Sequence, residues 1–326
     1  MNIVYVSDNN FADITGVSIV SLFENNKDED EINIFIIDDG IQESNKEKLI
    51  SLADSYNRCL KMIPIPDMRN LLNTENISTD NWPLNVFARL FLALIIPDDI
   101  EKTFYMDGDV MIRGSLKALY SENIDDYYAA GTLSFATKEH RKNLGLNEHN
   151  NYFSSGMLLF NIKKCREDNI CLRFTDFISS NGKKLWYPEQ DALNGTIGSS
   201  MKVISPVYNS LAVYFVMSYK AMFKYFRPCK YHTEHEYSQA VKNPVIIHFH
   251  GNVLTLRPWI DGSEHPHTFE WLEYKSISPW AGEPLKKDYR SGKTKFLIRI
   301  YKLLPRFISE SIIGLLSYNN LKWTKS

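Results

Sequence analysis

Cysteine is scarce in this chain. Only Cys59, Cys165, Cys171 and Cys229 occur in 326 residues, with no CxxC pair and no zinc-finger spacing to histidines. That excludes a disulfide scaffold and a Cys/His zinc site, and the four read as reduced thiols, mostly buried and apolar in behaviour. Glycine and proline number 15 and 13, too few for a collagen-like or low-complexity chain. No run approaches the roughly 18 apolar residues of a membrane span, and no internal repeat is present. The opening MNIVYVSDNN lacks the basic start and apolar core of a secretion signal, so a cytoplasmic protein is expected. Charge of one sign is also lacking. Lys+Arg 37 against Asp+Glu 39 leaves −2, so bulk charge does not hold the chain to nucleic acid.

What is present is ordinary globular composition, 44% hydrophobic and 23% charged, long enough for one large α/β domain or two ordinary ones. The apolar run Ile3–Val6 reads as a strand ending at Ser7-Asp8-Asn9-Asn10, followed by a helical stripe from Val17 to Phe23. A second strand, Ile32 to Ile37, ends at Asp38-Asp39-Gly40, and a second helix pattern runs from Ser44 to Tyr56. This rhythm predicts an α/β fold with a mostly parallel sheet, whose ligands bind beyond the carboxyl ends of the strands. Further on, Val86 to Ile96 reads as a helix carrying Arg89, and Thr103–Met106 as a strand running into Asp107-Gly108-Asp109. Residues 152–162 form another apolar strand, Pro188 to Asn194 a loop feeding a helix, and Val245 to Phe249 a last strand. One domain to about residue 260 is expected, with 261–326 as an extension.

Asp107 and Asp109 end a strand one residue apart, so both can reach one divalent cation, and the glycine between them lets the backbone bend closely round it. Hard oxygen ligands suit Mg²⁺ or Mn²⁺, which in turn hold a diphosphate. By themselves these three residues serve a polar turn equally well. His248 after Val-Ile-Ile is more often a satisfied core residue; joined to the two acids it makes a mixed nitrogen and oxygen set that favours Mn²⁺. Asp8 to Asn10 can hold a nucleotide's base or ribose, or simply cap a turn. Arg89 in an apolar helix needs a carboxylate or phosphate partner. Glu189-Gln190-Asp191 suits sugar hydroxyls or an acid/base role, against the plain reading of a solvated acidic loop.

Seven stretches in order resemble glycosyltransferase family 8, the retaining enzymes that include bacterial lipopolysaccharide galactosyl- and glucosyltransferases. They are NIVYVSDNN, DDGI (38–41), FARL (87–90), FYMDGDVMIRGSL (104–116), YFSSGMLLFNIKK (152–164), EQDALNG (189–195) and IIHFHG…RPW (246–259). The resemblance implies a GT-A fold binding Mn²⁺, with Mg²⁺ as second choice, and UDP-galactose or UDP-glucose as donor. It implies Asp107, Asp109 and His248 as metal ligands, Asp8 and Asn10 as uridine contacts, and Arg89 and Asp107 as donor-sugar contacts. Gln190 and Asp191 fall beside the anomeric carbon as the catalytic candidates, and Gly251 matches the diphosphate-binding glycine. Two departures stand out: the loop from Gly251 to its cation is three residues longer and ends in Arg257 rather than Lys, and Ser154 stands where the family often has Asn. Front-face transfer is favoured over a nucleophile on Asp191.

Residues 286–326 hold ten Lys/Arg against two acids, leaving about −10 on the rest of the chain. From Phe296 to Leu316 apolar residues recur at helical spacing with Lys295, Arg299, Lys302 and Arg306 between them, although Pro305 interrupts any single helix. This predicts a basic amphipathic tail on an anionic membrane surface, bringing the enzyme to a saccharide or lipid-linked glycan acceptor; packing on the acidic body is the plainer reading. A catalytically inactive UDP-sugar-binding scaffold is the main alternative. An NDP-sugar nucleotidyltransferase ranks lower, because Gly16 is the only glycine before Gly40 and no glycine-rich phosphate loop opens the chain.

Overall fold

The computed structural model describes residues 1–72, 83–251, 254–288 and 290–304. Ten strands are present among them: β1 (Asn2–Ser7), β2 (Asn33–Asp38), β3 (Cys59–Pro64), β4 (Lys102–Met106), β5 (Val110–Ile112), β6 (Ala129–Leu133), β7 (Phe153–Asn161), β8 (Met201–Val203), β9 (Ser210–Leu211) and β10 (Ile246–His248). Seven form one sheet in the order β3-β2-β1-β4-β7-β6-β8. Four of its six pairings are parallel, as the alternating pattern predicts. Near-continuous apolar runs make these strands: β1, β2, β4 and β7 are buried almost throughout, as in a sheet covered on both faces. Helices α1 (Ala12–Glu24) and α2 (Glu43–Ser55) cover one face.

The chain leaves β1 for β2 on one side, while β4 lies on β1's other side. The connections therefore diverge beyond the ends of β1 and β4, the place where such sheets form a crevice. Asp8–Asn10 follow β1 and Asp107 follows β4. A second sheet, β5-β10-β9, pairs His248 with Val110 and Leu211, bringing the late histidine beside the Asp107–Asp109 turn.

Two local expectations need correction. Val86–Ile96 is not one helix but a 3₁₀ segment, Leu84–Leu90, a break at Phe91, and one turn of α-helix at Leu92–Ile95. The cause lies in burial: Phe87, Ala88, Leu90, Phe91 and Leu92 are all buried, so no apolar stripe sets an α-helical face. Of the cysteines only Cys165 and Cys171 are buried, where desolvation pushes their thiols up to about 12 and about 11; Cys59 and Cys229 are exposed.

Residues 261–288 pack on the body. Trp271 and Trp280 are buried, and Trp280 lies over Gly16 of α1, where an added Cβ would stand 2.1 Å from its ring. The basic tail is described only to residue 304: helix Gly292–Leu303, with Ser291 as its N-cap, exposes Phe296, Ile300 and Leu303. Arg306 and the apolar positions from Phe307 to Leu316 lie outside the described residues.

Candidate active site

β4 ends at Met106, and the next peptide turns sharply, with Asp107 N–H donating to the Gly156 carbonyl of β7. The turn carries Asp107 and Asp109 toward His248 on β10, and ligand atoms of the three lie within 4.8 Å of one another. His248 Nε2 stands 3.1 Å from Asp109 Oδ1 and 3.7 Å from Asp107 Oδ2. Its Nδ1 is 3.0 Å from Asn209 Oδ1, an arrangement in which Nδ1–H donates and Nε2 is left toward the carboxylates. Burial works against the charge on His248, but Asp109 and Asp107 outweigh it and hold the imidazole above its ordinary pKa. Burial likewise opposes charge on Asp109; His248 and Arg257 outweigh it and hold the carboxyl well below the carboxylate range.

The residues fit a divalent cation. Two carboxylates and one imidazole converge, the imidazole is oriented from behind by Asn209, and the space among them is kept by Gly156. A Cβ there would fall 2.6 Å from Asp107 Oδ2 and 2.7 Å from His248 Cε1. Oxygen-rich ligation with one nitrogen suits Mn²⁺, and also Mg²⁺.

Two cations border the cluster. Arg89 pairs with Asp107 Oδ1 at 2.8 Å, and its Nε and Nη1 also donate to the carbonyls of Val86 and Ser155. Tyr105 donates to the same Asp107 oxygen at 2.7 Å. Arg257 stands 3.6 Å from Asp109 Oδ2, with its Nε on the Phe249 carbonyl. The longer loop therefore still delivers its cation to the cluster, and a Cβ on Gly251 would lie 3.3 Å from Arg257 Nη2.

Behind the acids, Ser154–Gly156 of β7 meet the helix Pro188–Ile197, so the stretch from Pro188 to Asn194 expected as a loop is itself helical. Gln190 Oε1 accepts from the Ser155 N–H at 3.3 Å, and its Nε2 donates to the Tyr152 hydroxyl at 3.4 Å. The Ser154 hydroxyl turns back to accept from the Gly156 N–H. Asp8 lies in the turn after β1, where its Oδ1 accepts from the Phe11 N–H at 2.9 Å, and Asn10 is exposed beside it.

Asp191 is placed elsewhere. It is fully buried, and its carboxylate accepts from the Tyr152 hydroxyl, from His140 Nε2 at 2.7 Å, and from the Trp186 and Tyr187 N–H groups at 2.7 and 2.9 Å. An acid so enclosed has no lone pair to offer a substrate, which corrects the choice of Asp191 as the acid beside the anomeric carbon. The neighbour that does border the cluster is Glu189. Its Oε1 accepts from Ser155 Oγ at 3.2 Å, its Oε2 is buried without a hydrogen-bond partner among the described residues, and desolvation raises its pKa against the pull of Arg89. Sequence reading grouped Glu189 with its neighbours but did not single it out.

The chain matches the profile of glycosyl transferase family 8 over residues 2–262. It is 25% identical to a lipopolysaccharide 1,2-glucosyltransferase of Escherichia coli over 327 aligned positions, covering 98% of this chain and 91% of that protein. General stress protein A of Bacillus subtilis (strain 168) is 24% identical over 283 residues, covering 86% of this chain and 94% of its own. Among solved structures, galactosyltransferase LgtC in complex with donor and acceptor sugar analogs superposes with a TM-score of 0.71 at 21% identity, covering 86% of this chain and 96% of that one. The last comparison speaks for the GT-A-type fold alone. With the profile spanning most of the sequence, from β1 to just past the Arg257–Trp259 turn, the chain belongs to glycosyl transferase family 8.

Proposed function

We propose that the protein transfers a hexose, galactose or glucose, with retention from a UDP-sugar to a saccharide acceptor in cell-surface glycan synthesis. The reading rests on one observation above the others: Asp107, Asp109 and His248 meet at the crevice end of the main sheet. Bound there, Mn²⁺ would neutralise charge on a departing diphosphate.

The protein's own groups supply the remainder. Asn209 holds the His248 ring in the tautomer a ligand needs. Arg257, already tethered to the Phe249 carbonyl, offers fixed positive charge to the same diphosphate. Arg89, locked between Asp107 and two carbonyls, and Glu189, with one buried oxygen that has no partner among the described residues, present a donor and an acceptor to sugar hydroxyls. Gln190 holds the start of β7 through the Ser155 N–H. With Asp191 enclosed and the Glu189 carboxyl raised in pKa by burial, neither acid of the helix start is set up as an ionised nucleophile, which favours front-face transfer. Asp8 and Asn10 take the uridine.

We further propose that the helix from Gly292 lies on an anionic membrane surface. Its support is exposed apolar area, with Phe296 and Leu303 exposed to 63% and 77%, in a segment rich in Lys and Arg. No described helix is long and apolar enough to cross a membrane.

The deciding experiment is a UDP-release screen over UDP-galactose, UDP-glucose and other nucleotide sugars, with and without acceptor saccharides. We expect release with a UDP-hexose, lost in EDTA and restored by Mn²⁺. Nucleotide-sugar binding without release under every condition would instead favour the inactive scaffold.

A further inference from the structure

The segment 259–288, nearly all of it beyond the family match, is tied to the turn after β1 at two separate points. The first is Lys286. Its backbone is fixed by a bond from its N–H to the Trp259 carbonyl and one from Asp261 N–H to its own carbonyl, both 2.8 Å. Its ammonium group donates to the Asn10 carbonyl and stands 3.2 Å from Asp13 Oδ1. The second is Trp280. Its ring occupies the notch at Gly16, and its Nε1 donates to Asn45 Oδ1 at 3.0 Å. Asn45 in turn donates to Asn9 Oδ1 at 3.0 Å, an atom that also accepts the Gln42 N–H. Lys275, buried, fastens the segment itself by donating to the carbonyls of Trp280, Ala281 and Glu283.

An aromatic group joins this turn to the other end of the site. Phe11 lies edge-on to Trp259 with ring centroids 6.4 Å apart, and Lys286 Nζ stands 5.9 Å from the Phe11 ring. Trp259 also carries the Arg257 guanidinium, 5.5 Å from its ring. Within the turn itself the bonds are few: the Phe11 N–H goes to Asp8, through side chain and carbonyl. A turn so lightly held from inside is ordered by what grips it from outside, and order before binding is what a weakly enclosed nucleoside site requires.

We propose that residues 259–288 are a strap that positions the Asp8–Asn10 turn for the donor's nucleoside, with Lys286 as its positioning residue. This rests on the reading of the donor as a UDP-sugar. The ties through Lys286 and Asn45 act on the nucleoside end and bond none of Asp107, Asp109 and His248, which gives them a signature that a general loss of stability lacks.

The test is calorimetric titration of the full chain and of Lys286→Met, Lys286→Arg and Asn45→Ala with UDP, with UMP, and with Mn²⁺-pyrophosphate. In Lys286→Met we expect UDP and UMP to weaken by the same factor, about five-fold, with pyrophosphate unchanged. Lys286→Arg, which keeps the cation, should recover most of the loss, and Asn45→Ala should repeat the pattern from the second tie. In UDP-sugar hydrolysis the loss should fall on KM and leave kcat in place. Equal weakening of UMP and pyrophosphate, or UMP binding unchanged in both Lys286→Met and Asn45→Ala, overturns the strap while leaving the donor assignment standing. If the unaltered chain binds neither UDP nor UMP, the donor reading fails and the strap fails with it.

Discussion

Asn209 stands behind the His248 ring and decides which of its nitrogens faces the two aspartates. Replacing it with Ala leaves the buried Nδ1 without its partner and frees the ring to turn. We expect Asn209→Ala to weaken Mn²⁺ binding by about 10–100-fold with the fold intact, the usual cost of losing such a supporting bond; titration with Mn²⁺ beside a circular dichroism spectrum would read both. The pair Asp107 and Asp109 was visible in the sequence because two acids end an apolar strand. His248 was visible only through the likeness to a family, since a histidine after Val-Ile-Ile fits a core as well as a metal. Asn209 gave no signal, because its meaning comes from β9 and β10 lying side by side. The choice between Glu189 and Asp191 was equally hidden. Two residues apart on a helix point about 200° apart, so one must face inward, and the groups that claim Asp191 (Tyr152 and His140) come from distant parts of the chain.

Elements with a clear period were legible. β1, β2, β4, β7, β10 and α2 lie within two residues of the patterns that announce them, while α1 contains its stripe from Val17 to Phe23 but starts five residues earlier, at Ala12. β3 was not, because CLKMIP is a partly exposed edge strand with few buried positions to betray it. The helix Pro188–Ile197 shows how an element is fixed from outside itself. Its first turn is anchored by Asp191, which takes two backbone N–H groups, a hydroxyl and an imidazole at full burial. Asp191→Ala leaves several buried donors unmet and should cost about 3 kcal/mol, read as a lowered urea midpoint. A second joint lies between β6 and the helix Glu234–Lys242. His232, just before that helix, accepts the Leu133 N–H at 2.9 Å and is kept neutral by burial, which lowers its pKa to about 4. The folded state thus binds its proton less readily than the unfolded chain. Its contribution is complete above about pH 6.5 and is lost as pH falls toward 4, by about 1.4 kcal/mol per pH unit. Thermal melts from pH 7 to 4.5 should fall in that window, and His232→Gln, which keeps an acceptor without titrating, should flatten the fall.

For the molecule as a whole, the acidic body and basic tail make a prediction about place. Deleting 292–326 while keeping Lys286 should release the protein from vesicles containing phosphatidylglycerol and leave UDP-sugar hydrolysis unchanged. Sedimentation with such vesicles reads the first, and UDP release the second. Unchanged sedimentation would place the helix on the body instead. The whole-chain reading from sequence supposed a boundary near 260, where the motifs end; the packing continues through Trp271 and Trp280, whose partners on α1 and β10 are remote in sequence.

That continuation bears on how the protein is cut for laboratory work. Gly16 is small because an indole from 264 residues later fills the room above it. A fragment stopping at 262, where the family likeness stops, would carry a greasy hollow along its first helix, and its natural shortest form runs through the turn that Lys275 closes.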